Sequence, residues 1–545
     1  MRWNRSGGLL LALGTLCGTA VAVDDSASTD AASAPTAATP SPAASPAPSP
    51  AEVRAEIREV ARRVDELLER RLTAEGVQPA PRADDAEFLR RVFLDLCGRI
   101  PPAAEVRDFL ADNAPDKREQ AVDRLLRSST HIIHSTNQWR RVLLPEADAD
   151  QEIRFLLPGF EAWLRTRIAA NEPLDRIATE LLTLPIDPRD GQGFSQPTAP
   201  SPLAFYRAKQ LKPENLASAT ARVFLGIRID CAQCHHHPFD TWKQEQFWSF
   251  ASFFQDTPAP DGKRPDPKSI RVAETEAVVP ATFLDGSAPQ WTSDSTGRGE
   301  VSRWLVAGEN PYFAKSAANR IWANLFGRGI VDPVDDFSQA NVPSHPELLD
   351  LLATELRQHH YDQQFLIRVL TSTAAYNRTS RVANDTQQAP ELFARVPVRA
   401  LSPEELFDSL AQATGYRQPF DPEQPVNFNQ DQTRQEFLET FSTEGRTSYE
   451  PQSTILQALT LMNGKFVADA TSLADGKTLA AVVDAPFLSP PGKIDALYLT
   501  TLSRLPSERE RERLLKIVEK HPDPPRAYAD LFWTLLNTTE FSVNH

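Results

Sequence analysis

The sequence is short of several things, and each shortage excludes a class of protein. Four cysteines in 545 residues cannot build a disulfide scaffold. Twenty-two glycines argue against an all-β repeat protein rich in glycine turns. Basic residues are outnumbered, 58 Lys and Arg against 73 Asp and Glu, which leaves a net charge of −15. A chain of that sign has no general attraction for nucleic acid or an anionic membrane, both of which want a basic face. No run of about 18 apolar residues occurs, so no transmembrane helix is expected. G-x-S-x-G, the Walker loop, H-E-x-x-H and G-x-G-x-x-G are all missing. What remains is a chain of ordinary globular composition, 41% apolar and 24% charged, with an excess of proline at 45 residues. Its length suggests two or three domains.

The N-terminus reads as an export signal over residues 1–22. Arg2 and Arg5 supply the positive start, Leu9 to Ala20 a short apolar run, and Ala20-Val21-Ala22 a small-x-small cleavage pattern. Leu16 stands where lipidation of Cys17 would want a small residue, so Cys17 reads as part of the apolar run. The mature protein is therefore expected in an exported, oxidising location, periplasmic or extracellular, with Cys97, Cys231 and Cys234. Residues 23–50 follow as a disordered linker in which Ala, Ser, Thr and Pro make up 24 of 28 positions.

From Ala51 the apolar spacing becomes helical. Val53, Ile57, Val60, Val64, Leu67 and Leu72 recur at three- to five-residue steps. Phe88 to Leu96 continues the pattern and stops near Cys97-Gly98. Asp116 with Glu119, and Ser344 with Glu347, read as capping boxes opening further helices. Helices are also expected at about 160–183, 213–226, 453–470, 491–504 and 507–519, with another starting at Leu401-Ser402-Pro403-Glu404. Residues 417–450, polar and rich in Gln and Asn, read as a long loop. The fold class expected is mainly α. Two helical domains, 51–257 and 301–545, are joined by a small β-containing connector, 258–300, in which Ala277 to Val279 has strand character.

One stretch is chemically specific: Cys231-Ala-Gln-Cys234-His235-His236-His237-Pro238-Phe239-Asp240. C-x-x-C-H is the attachment signature of c-type haem. Two thiols at this spacing can form thioethers to the two vinyl groups of one porphyrin, and the adjacent His235 can offer an imidazole nitrogen to the iron. The same residues also suit a zinc or iron ion held by Cys231, Cys234 and His235 or His237, or a disulfide. Seven aromatics follow in 16 residues: Phe239, Trp242, Phe247, Trp248, Phe250, Phe253 and Phe254. They could wall a haem or simply fill a core, on a helix that Asp240 could cap. Met462 is the candidate second axial ligand, with a helix-end core methionine as the alternative, and a five-coordinate iron is also allowed.

With these residues in view, the chain resembles a family of large secreted planctomycete proteins. They pair a cytochrome-like N-terminal domain with a C-terminal companion domain, both of unknown function. The first resemblance is carried by Val64-Asp-Glu-Leu-Leu, Phe88-Leu-Arg-Arg-Val-Phe-Leu-Asp-Leu-Cys-Gly-Arg-Ile-Pro101, Phe224-Leu-Gly-Ile-Arg-Ile-Asp-Cys231 and Cys234-His-His-His-Pro-Phe-Asp-Thr-Trp242. The second is carried by Asn310-Pro-Tyr-Phe-Ala, Asn319-Arg-Ile-Trp322, Leu325 to Phe337, Ser344-His-Pro-Glu-Leu-Leu349, Tyr376 to Arg381, Leu461-Met-Asn-Gly464 and Tyr498 to Pro506. The resemblance implies a cytochrome-like protein and hints at a role near extracellular polysaccharide processing. It departs at His236, where the family usually has Asp or Asn, and in having only a spacer where many members carry a further haem-attachment domain.

Three readings of function follow. The first is an exported haem c redox protein with an unidentified redox partner. The second is an envelope scaffold or binding protein stabilised by a non-haem metal or a disulfide at Cys231 and Cys234. The third is a hydrolase using Asp335, Asp336 or Glu404, although these residues also suit a turn and an acidic first helical turn.

Overall fold

The computed structural model describes residues 49–148, 150–187, 200–257, 265–273, 275–418, 432–441, 461–462 and 464–545. The expected export signal and nearly all of the expected linker lie outside the described residues, as do parts of the expected loop at 417–450 and of the helix at 453–470. The described chain is mainly α, with two small two-stranded sheets. No helix among the described residues is long and apolar enough to cross a membrane.

Local sequence explains most helix boundaries. The first helix, Pro50–Ala74, buries Ile57, Val60, Ala61, Val64, Leu68 and Leu72, a stripe at helical spacing. The helix Asp85–Cys97 opens on Asp84, whose carboxylate accepts the Glu87 N–H at 2.8 Å. It ends at Gly98 in the left-handed region, φ 65°, with the Gly98 N–H returned to Leu94 O. Helix Pro403–Thr414 carries a complete capping box between Ser402 and Glu405.

The two capping boxes expected from the sequence do not form, although the helices do. Asp116 precedes helix Lys117–Leu126 with a non-extended backbone, φ −104° and ψ 15°. Its carboxylate turns instead to Gln120 at 2.7 Å and Arg54 at 3.4 Å, while Glu119 pairs with Arg58. At the helix Pro346–Gln358 the N-cap is His345, not Ser344. The Ser344 hydroxyl donates to Ile330 O and so ties down the preceding loop. Glu347 meets Arg70. At Ser344 a carbonyl 14 residues back takes the hydroxyl, and at Asp116 the carboxylate is shared between Gln120, four residues on, and the distant Arg54.

Part of the expected loop is helical as well. Gln432–Phe441 forms a helix because Phe437 and Phe441, four residues apart, stack at 4.2 Å and pack beside Phe407. In the connector, Ser269–Arg271 pairs antiparallel with Val278–Pro280, Ile270 opposite Val279. Helical structure resumes at Gly297, four residues earlier than expected, because Thr296 caps the Gly299 N–H. The second sheet pairs Arg399–Ala400 with Val543–Asn544.

Helix Asp85–Cys97 lies at the centre, with 11 of its 13 residues buried. Phe88, Leu89, Val92, Phe93 and Leu96 join a large core built mostly from segments between Ile57 and Phe393, with Leu499 added from further on. Leu94 turns the other way, into a second core formed largely by residues 401–541. Its polar residues are buried too. Arg90 donates to Thr501 O, Glu540 O, Phe541 O and Val543 O, and Arg91 to Tyr376 O, Arg378 O and Glu87. A helix buried on all sides must satisfy its charges internally, and these do so on backbone carbonyls far along the chain.

Candidate functional site

The chain reaches the cysteine pair from the helix Pro213–Thr220, extended by a single π turn over Ala221–Leu225. Gly226 ends it at φ 69°. A Cβ there would lie 2.7 Å from the Phe337 ring, so the position needs glycine on both counts. Phe337 N–H donates to Gly226 O at 2.7 Å. Ile227 and Ile229 then bury, while Arg228 turns outward to Asp335 at 2.6 Å.

Cys231 lies within a short 3₁₀ turn, Asp230–Gln233, and Cys234 caps its C-terminal end. Ala232 is fully buried and pins the turn to the core. Both cysteines are exposed free thiols, whereas Cys97 is buried. Burial raises the Cys97 thiol above its ordinary range and leaves it unreactive. The turn is held from behind by the next helix, Gln244–Ala251. The Gln244 carboxamide donates to Gln233 O at 3.2 Å and Cys234 O at 3.0 Å, and the Trp248 indole N–H donates to Gln233 O at 3.0 Å.

The three histidines divide by tautomer. His235 Nδ1 lies 2.7 Å from His236 O. A carbonyl only accepts, so Nδ1 carries the proton and Nε2 keeps its lone pair. His236 Nδ1 accepts the Gln244 N–H at 3.1 Å, and His237 Nδ1 accepts the Phe239 N–H at 3.3 Å. In their neutral forms these two carry the proton on Nε2. His235 is thus the imidazole ready to ligate through Nε2, with its other nitrogen donating to a backbone carbonyl as metal-ligating histidines do. His237 would have to give up its bond to Phe239 to serve.

The expected aromatic wall is placed differently. The helix after the motif starts at Gln244 with Lys243 at its N-cap, so Asp240 is not its cap. Asp240 instead accepts the Thr241 N–H. Phe247, Trp248, Phe250, Phe253 and Phe254 are buried in the large core, where Phe253 stacks on Phe283 at 4.7 Å. Phe239 is 85% exposed. The anchor residues therefore fit a c-type haem, two free thiols and a bare imidazole nitrogen, while the apolar wall is spent on the core. Among the described residues no group of three or more His, Cys, Asp or Glu comes together as a metal-holding cluster. Met462 is 45% exposed, and its carbonyl accepts the Trp533 indole N–H at 3.1 Å, on a segment beside the second core.

Two of the three hydrolase candidates, Asp335 and Glu404, are engaged in ion pairs. Asp335 takes Arg228 at 2.6 Å and Arg222 at 3.4 Å. Burial opposes its ionisation, but the bond from Arg228 and the charges of Arg228, Arg222 and Arg320 outweigh that and hold it below the usual carboxylate range. Asp336 closes a turn through its backbone. Glu404 pairs with Arg141 at 3.0 Å. Sequence reasoning missed Gln244 and named Trp248 only as one of the seven aromatics; their grip on the turn follows from a helix that starts after Lys243 rather than at Asp240.

Residues 63–259 match PSCyt2, a protein of unknown function (DUF1549), and residues 297–518 match PSD1, a protein of unknown function (DUF1553). The chain thus has a two-domain architecture of unknown function, with the cysteine turn in the first matched segment and Met462 in the second. No curated protein and no solved structure matches it.

Proposed function

We propose that this chain is an exported redox protein that carries a c-type haem on the Cys231–His235 turn. Cys231 and Cys234 form the thioethers, and His235 ligates through Nε2. The observation that carries the reading is the His235 Nδ1 bond to His236 O, which fixes the ligating tautomer beside two free, exposed thiols. A bound haem would supply one-electron transfer. The protein's own part is to present the thiols outward on a turn pinned by Ala232 and to hold the His235 ring by its second nitrogen. Exposed Phe239 lies next to this edge and suits contact with a redox partner protein. The link to extracellular polysaccharide processing rests on the family resemblance alone.

One observation favours a second reading. Five of the seven aromatics after the motif, Phe247, Trp248, Phe250, Phe253 and Phe254, are packed into the core, so the turn lacks the apolar wall they would have formed. A scaffold or binding protein stapled there by a disulfide, or by a zinc or iron ion that draws the two thiols and His235 together from where they now stand apart, needs no such wall.

An absorption spectrum with pyridine haemochrome, on protein matured in an exporting host with haem-attachment machinery, separates the two. The expected result is a haem c spectrum that is lost in Cys231→Ala and Cys234→Ala. Well-folded, colourless protein refutes the haem reading, and metal analysis then decides between an ion and a disulfide. In coloured protein, Met462→Leu would lower the potential if its sulfur is the second axial ligand and leave it unchanged otherwise.

A further inference from the structure

We propose that Gln244 is a positioning residue that keeps Cys231 and Cys234 an open pair of thiols until a group is attached to them. The inference rests on the haem-anchor reading for its purpose, but its chemistry stands on the apoprotein. Two exposed thiols this close in an oxidising compartment face a competing reaction. They can pass two electrons and two protons to a low-molecular-weight disulfide such as oxidised glutathione, forming the Cys231–Cys234 bond and releasing two glutathione thiols. A disulfide permits only a narrow range of Cα separations and a Cβ–S–S–Cβ angle near 90°. The two thiols stand unbonded in the turn as the next helix holds it, so closure works against that hold.

The groups that would move are the ones the next helix grips. Gln244 makes three bonds to the turn: its carboxamide to Gln233 O and Cys234 O, and its backbone N–H to His236 Nδ1. Trp248 adds a bond to Gln233 O from a side chain only 7% exposed, so the clamp stands on the packed core. Ala232, fully buried, prevents the turn from rotating as a body. The carbonyls are drawn back to the helix and the thiols face solvent.

The test equilibrates apoprotein, made without haem-attachment machinery, in glutathione buffers of graded ratio. The Cys231–Cys234 disulfide is quantified by alkylation and peptide mass mapping. Gln244→Glu is nearly isosteric and keeps the backbone bond to His236, but its carboxylate cannot donate to either carbonyl. Gln244→Ala removes the side chain, and circular dichroism checks that both variants fold. Both are expected to raise the equilibrium constant for disulfide formation about tenfold, as the loss of two net hydrogen bonds predicts, a shift of about 30 mV. Wild-type behaviour in Gln244→Glu overturns the proposal. So does wild-type apoprotein that is already fully disulfide-bonded in a glutathione buffer that leaves ordinary exposed thiols reduced. If the tenfold shift appears but haem never attaches, the clamp stands and the haem reading falls. If haem attaches and Gln244→Glu changes nothing, the clamp alone falls.

Discussion

Replacing Asp95 by alanine should be among the most damaging single changes in this protein. The carboxylate sits on the central helix with no side-chain exposure. It accepts the Tyr376 hydroxyl at 2.6 Å and the Asn544 carboxamide at 2.7 Å, and it pairs with Arg399, whose other arm reaches Asn324 O at 3.1 Å. Asp95→Ala leaves a guanidinium, a phenol and a carboxamide without their shared acceptor in a buried site. Removing one partner of a buried ion pair costs about 3–5 kcal/mol, a large share of the roughly 5–15 kcal/mol that stabilises a folded domain. Asp95→Asn keeps one acceptor oxygen and the volume, and should cost about 2 kcal/mol. Equilibrium urea unfolding, followed by tryptophan fluorescence and far-ultraviolet circular dichroism, measures both. A double-mutant cycle with Tyr376→Phe should show a coupling of at least about 1 kcal/mol. A loss under about 1 kcal/mol for Asp95→Ala, or simple additivity with Tyr376→Phe, would refute the reasoning.

Two further tests address the neighbourhood of this helix. Gly98→Ala must adopt φ 65° and place a Cβ 2.3 Å from His134 Nδ1, so thermal or urea unfolding should show a loss of about 2–4 kcal/mol. His134 is depressed to about 4 by burial, and its Nε2 accepts from Gln138. The unfolded chain then binds a proton that the folded one refuses, so stability is complete above about pH 6.5 and falls as the pH drops towards 4. The slope is up to about 1.4 kcal/mol per pH unit for each such histidine. His345 and His545, also held near 4 mainly by burial, add to the fall. His134→Asn should flatten the unfolding free energy measured between pH 6.5 and 4; a slope equal to that of wild type would refute the assignment.

Much of the local structure was legible in the sequence because its causes are local. The stripe from Ile57 to Leu72, the glycine stop at Gly98 and the helix start at Ser402 each depend on residues within a few positions of one another. The expectations that failed did so where a distant group won. Arg54 draws on Asp116, Ile330 takes the Ser344 hydroxyl, and Phe407 gives Phe437 a surface to cover.

By itself the sequence determined that the chain is mainly helical and that one turn carries two thiols and a histidine at haem-anchoring spacing. Both follow from side-chain order and short-range periodicity. Which histidine keeps a free Nε2 was decided by the folded backbone, through neighbours one and two residues away at His235 and His237 and through Gln244 of the next helix at His236. Only the tertiary structure decided that the aromatics after the motif serve the core, because burial depends on Phe283 and Trp304 arriving from further along the chain. The place of helix Asp85–Cys97 between two cores was hidden for the same reason. Asp95 and Tyr376 are 281 residues apart in sequence, and Arg90 and Phe541 are 451 apart. No periodicity reports such pairings, since they are chosen by the requirement that every buried charge find a partner.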